Sequence, residues 1–194
     1  MNRISRNSLI ALLFYIFIFL FLVLLMTNRS FSAWVFERHQ NQWSWYIRPL
    51  FVLPFCYFAW KRSHAGVSLT VFMLLTSMFW FKVPEVVDED VKAFLQYEQE
   101  WLFGSWNLPK VLLLLTVPFS LIILGLSFWK RSVVVGLGVV VLIAAGKIFW
   151  SISNAGTAGK SILLPALAGL AICIGLILFV AIRKKNKTKD TGNE

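Results

Sequence analysis

Apolar residues run almost unbroken over 9–26, 109–129, 133–150 and 161–182. Runs of this length match the hydrocarbon thickness of a bilayer, so each predicts a transmembrane helix. Two shorter apolar stretches, 45–60 and 66–81, predict two more spans, the first interrupted by Arg48, Pro49 and Pro54. Between the third and fourth spans the pattern changes. Over 84–103, Val87, Val91, Phe94, Leu95, Trp101 and Leu102 recur at helical spacing, while Lys92, Gln96, Gln99 and Glu100 fall outside that stripe. This is an amphipathic helix that lies on a membrane surface or lids a bundle. Pro84 is suited to its first position, Glu85, Asp88, Glu89 and Asp90 complement its positive end, and Gly104 stops it. The pattern as a whole predicts an all-α bundle of six transmembrane helices in one domain, 1–182, followed by a basic, disordered tail over 183–194.

The flanks of the spans refine this reading. The eighteen residues from Leu9 to Met26 exceed a usual signal-peptide core. Arg29 also separates them from the small residues Ser30 and Ser32, so the run reads as an uncleaved first span. The segment 27–46 is polar yet rich in Trp, Phe and Tyr, which favours the headgroup zone. A polar loop is expected over 151–160. A weak internal repeat is visible. Pro54-Phe55 leads to Trp60-Lys61-Arg62-Ser63 and then Phe79-Trp80, while Pro118-Phe119 leads to Trp129-Lys130-Arg131-Ser132 and then Phe149-Trp150. That order corresponds to a parallel repeat about an axis along the membrane normal.

Composition agrees with a bilayer as the solvent: mean hydropathy is +0.72, with 58% hydrophobic and 14% charged residues. The net charge of +10 sits largely in short turns and the tail, without any nucleic-acid-binding module, so no nucleic-acid partner is expected. Eleven basic residues, including Lys61, Arg62, Lys130 and Arg131, fall on one side of the predicted membrane against Asp190 and Glu194; eight fall on the other against seven acids. The basic side is cytoplasmic by the positive-inside rule. Both termini are then cytoplasmic, in a plasma membrane of the bacterial inner-membrane type.

Candidate chemistry is sparse. Cys56 and Cys173 sit inside apolar runs, and the two histidines lack ligands at metal spacing, so neither a disulfide framework nor a metal or other cofactor is expected. Gly156-Thr157-Ala158-Gly159-Lys160-Ser161 lacks the first glycine of a phosphate loop, since Asn154 stands there, and reads as a flexible turn. His64 has no acid or nucleophile near it in sequence. Ala171 with Gly175, and Gly136 with Gly138, permit close helix approach, and Thr116 and Ser120 form a short polar stripe between helices.

Lys147 lies inside the fifth span and Arg48 inside the second, where an ionisable group needs a partner or water. Glu98 interrupts the apolar stripe of the amphipathic helix and is the natural counter-charge. The expectation is an outer-leaflet polar cluster of Arg48, Glu98 and Lys147, joined by Glu37 or His39 from the first loop. No nucleophile, base and orienting group can be assembled by spacing, so no catalytic residue is assigned. The favoured function is binding or transport of a small anionic or lipid-like ligand near the outer leaflet. A non-catalytic subunit or assembly partner of a larger complex is the alternative, and a membrane enzyme acting on a lipid-linked substrate comes third. Membrane lipids are the expected partners, with a homo-oligomer or larger complex beside them.

Overall fold

The computed structural model describes residues 6–190, with side chains through Arg183, and within that range it is helical without a strand. Helices α1 (Arg6–Thr27), α7 (Leu108–Trp129), α8 (Val133–Ala155) and α9 (Leu163–Asp190) carry the long apolar runs, α9 continuing from a 3-10 turn over Ala158–Ile162. These four are long and apolar enough to cross a membrane. Twenty-two residues at the helical rise reach about 33 Å, against a hydrocarbon core of about 30 Å. Their outer surfaces expose Phe19, Phe119, Leu142 and Phe179 among many aliphatics, a surface suited to lipid.

The other elements are shorter. The stretch expected as one span over 45–60 divides into α3 (Trp43–Leu50) and α4 (Val52–Trp60) at Phe51. Pro54 lacks an N–H for the Leu50 carbonyl and its ring crowds that oxygen, while Phe51 N donates three residues back to Arg48 O at 3.2 Å. The stretch 66–81 becomes α5 (His64–Thr76) with a 3-10 turn over Ser77–Phe79. The aromatic segment after α1 is itself helical: α2 (Arg29–His39) begins where Asn28 Oδ1 accepts from Phe31 N at 2.9 Å.

Three expected boundaries move. The amphipathic helix α6 (Glu89–Phe103) starts after Asp88 instead of at Pro84, because Asp88 Oδ1 accepts from both Asp90 N at 2.9 Å and Val91 N at 3.1 Å. Helix α8 continues through Ser151 to Ala155, into the expected loop, and stops at Gly156, whose φ of +57° suits glycine. Helix α9 runs on to Asp190, through most of the tail expected to be disordered; basic residues favour the negative end of a helix. Residues 191–194 lie outside the described range.

The main core joins α4, α7, α8 and α9 through Phe55, Cys56, Leu124, Phe128, Val140 and Cys173. Glycines open close approaches to side chains at three places. A Cβ at Gly66 would stand 2.2 Å from the Phe58 ring, at Gly136 2.3 Å from the Phe128 ring, and at Gly169 2.3 Å from Pro49. Gly138 and Gly175 have open space instead, so the α9 contact falls at Gly169, where the Cys173 thiol also reaches Pro49 O at 3.3 Å. Thr116 and Ser120 do not bridge helices; their hydroxyls donate to Leu113 O and Val117 O of their own helix.

The α4–α5 and α7–α8 hairpins share more than their turn sequence. Lys61 N and Lys130 N each donate four residues back, at 2.9 Å, and Ser63 N and Ser132 N each donate five residues back, at 2.9 Å. The two turns also lie side by side. The Arg131 guanidinium stands 5.5 Å from the Trp60 ring, and the His64 ring 4.7 Å from that of Trp129.

Candidate functional site

Helix α6 forms the cover of the site. Val91, Phe94 and Leu95 recur on one face and are fully buried against Phe36 of α2, Trp45 of α3 and Trp150 of α8. Glu98 follows Phe94 by one turn, so it points inward at the edge of that dry face. Its carboxylate accepts from the Lys147 ammonium, the one ion pair among the described residues. The same ammonium sits 5.3 Å from the Phe94 ring and 4.9 Å from the Trp150 ring. Carboxylate and aromatic faces together compensate a cation at this depth.

A second group lies where α2 turns into α3. Arg48 Nη1 donates to His39 Nε2 at 3.1 Å, and His39 Nδ1 lies 2.8 Å from Ser44 Oγ. An arginine can only donate, so Nε2 accepts and the proton resides on Nδ1. The Ser44 hydroxyl then accepts from Nδ1 and donates to Asn41 O at 2.7 Å. Trp45 Nε1 donates to His39 O at 2.9 Å and fixes the end of α2. His39 lies outside the predicted spans. Burial first, then the charges of Arg48 and Lys147, hold it well below the ordinary histidine range, so it is a neutral acceptor.

Arg48 differs from Lys147 in having no carboxylate partner. Among the described residues its one hydrogen bond is to His39, which leaves four N–H donors without a protein acceptor. The Lys147 charge also acts on His39 through space, which couples the two groups electrostatically. Glu37 does not join it. It is exposed and makes no side-chain bond among the described residues, because Ser32, Phe36 and His39 occupy the inward face of α2.

Two features escaped sequence reasoning. Lys110, second residue of the fourth predicted span, is buried, and its ammonium donates to Leu102 O and Gly104 O at 3.0 Å and to Ser105 O at 3.5 Å. It lies 5.3 Å from the Trp101 ring and 4.7 Å from the Trp106 ring. It thereby satisfies the open carbonyls at the end of α6 and pins that end to α7. A lysine between flanking tryptophans was the available signal. The second feature is Ser151, one turn beyond Lys147, whose buried hydroxyl has no hydrogen-bond partner among the described residues.

A cavity of about 540 Å³ adjoins this region, lined by Glu100, Trp101, Lys110, Trp150 and Asn154 among others. Trp150, whose ring lies 4.9 Å from the Lys147 ammonium, is part of its lining. Among the described residues no group of three His, Cys, Asp or Glu side chains is placed to hold a metal. The arrangement offers one charge pair, a guanidinium with spare donors and a neutral imidazole that orients it. Compared with protein-family models, curated proteins and solved structures, the chain matches none, so its function has to be argued from this geometry.

Proposed function

We propose that this chain is a six-span integral membrane protein of the bacterial inner-membrane type, with both termini cytoplasmic. Its outer-leaflet cluster binds, and in the fuller reading transports, a small anionic or lipid-like ligand. Arg48 carries the proposal. A half-buried guanidinium with one neutral hydrogen-bond partner and four unused donors suits the oxygens of a phosphate or carboxylate. Lys147 adds a second positive charge within electrostatic reach, and the unpartnered Ser151 hydroxyl one turn along α8 adds a polar group. The four long apolar helices support the membrane location. Two shorter paths, α3 with α4 and α5 with its 3-10 turn, supply the remaining spans in this reading.

Native mass spectrometry of the purified chain in mild detergent tests this. The expected result is a stoichiometric anionic species that is lost on Arg48→Ala and weakened on Lys147→Ala. If Arg48→Ala retains every anionic species that wild type carries, the proposal fails.

The second reading, a non-catalytic subunit or assembly partner, draws on a different observation. Glu98 and Lys147 close directly on each other beneath a dry helix face, as a structural strut would. A defined protein companion, retained equally by wild type and Arg48→Ala, would favour it.

A further inference from the structure

The two Trp-Lys-Arg-Ser turns lie away from the Arg48 cluster. Lys147 is fourteen residues along α8 from Val133, about 21 Å, so the turns lie toward the opposite end of that helix. Each turn closes a helix with its arginine in the left-handed region, Arg62 at φ 55° and Arg131 at φ 61°. Glycine is the ordinary residue there, since it adopts that conformation without a Cβ clash. An arginine stands at this position in both turns, so the charge is retained where conformation alone favours glycine.

The turns also bring their cations together. Arg131 stacks on Trp60 of the other hairpin, and Trp129 packs on His64 in return. Asn7, beside Arg6, docks on the same surface, its Oδ1 accepting from Ser63 Oγ at 3.2 Å and Ala65 N at 3.3 Å. Lys61, Arg62, Lys130, Arg131 and Arg6 are all exposed. The one ion pair among the described residues is Lys147 with Glu98, so among those residues none of these five has a carboxylate partner.

We infer that this face binds an anionic phospholipid whose headgroup carries two phosphates, one for each Lys-Arg pair. Two cation pairs, brought side by side by the Arg131–Trp60 and His64–Trp129 contacts, offer two anion positions on one surface, which a lipid with two phosphodiesters joined by a short polyol matches. Trp60 and Trp129 close the helices that lead into the two turns, and indoles at span ends favour the headgroup zone of a membrane. A scattered positive-inside bias would attract any anionic lipid. The paired turns instead favour the two-phosphate headgroup over a single phosphate of the same acyl chains. This site is independent of the Arg48 site and does not rest on it.

The test titrates the full chain in mild detergent with diphosphatidylglycerol and, separately, phosphatidylglycerol, reading bound lipid by native mass spectrometry. One diphosphatidylglycerol is expected to be retained, about tenfold more tightly than phosphatidylglycerol, and released steeply as salt rises. Lys61→Gln with Lys130→Gln is expected to lower that retention roughly thirtyfold, the scale of two lost cation contacts at a membrane surface. Arg48→Ala is expected to leave it unchanged. Equal retention of the two lipids would overturn the inference, as would loss confined to Arg48→Ala. Salt-insensitive retention by the unaltered chain would also overturn it, a readout that does not depend on any variant folding.

Discussion

Arg48, half-buried, and Lys110, buried, are both cations near the same end of the molecule, yet they are bonded in opposite ways. Lys110 directs its three N–H donors at three carbonyls of the α6–α7 connection and sits between two tryptophans. Arg48 directs one donor of five at a neutral histidine. A saturated cation holds backbone together, and an unsaturated one retains the means to hold something else. Depth and charge alone do not separate these roles; the count of satisfied donors does.

Four experiments probe that contrast. The largest effect on stability is expected from Lys110→Met, which strips three carbonyls of a charged donor held by a buried side chain and costs about 2 kcal/mol. Thermal unfolding in detergent reads it, and an unchanged midpoint would remove Lys110 as a clamp. Arg48→Ala is expected to do the reverse, changing stability by about 1 kcal/mol or less while anion retention falls about tenfold or more.

The third concerns His39. Its folded-state pKa lies below the unfolded value of 6.5, so the unfolded chain binds the extra proton first. Stability is therefore full above about pH 6.5 and declines as pH falls below it, by at most about 1.4 kcal/mol per pH unit. His39→Gln should flatten the unfolding midpoint between pH 5 and 7; an unaltered slope would mean that His39 is not the buried neutral group. The smallest effect belongs to the acids. Glu98→Gln is expected to cost about 1 kcal/mol or less at the exposure of this pair while leaving anion retention intact or stronger, since an opposing charge is lost. Glu37→Gln should change neither. If Glu98→Gln affects neither stability nor retention, the cluster is not a functional unit.

Much of the site was legible from one register argument. Glu98 falls on the inward side of α6 because it follows Phe94 by four residues, and Lys147 needed a counter-charge because its neighbours are apolar. The pairing of these two residues follows from periodicity and desolvation together. His39 and Glu37 were not separable in the same way. They are two residues apart on a helix read from sequence as a loop, and α2 alone turns one inward and the other out. Lys110 stands at the start of the fourth predicted span, and nothing near it in sequence gives it a partner. Its three acceptors lie five to eight residues earlier, and only the fold of the α6–α7 connection brings them to its ammonium.

The sequence by itself determined the helical class and the four long apolar helices. Each follows from composition and spacing within one segment, where hydropathy and helical period act locally. The tertiary structure decided which cations are satisfied, where α3 breaks from α4 and that the two turns clasp each other. Those depend on donors and acceptors, or on facing rings, far apart in the chain, and hydropathy carries no information about such pairings.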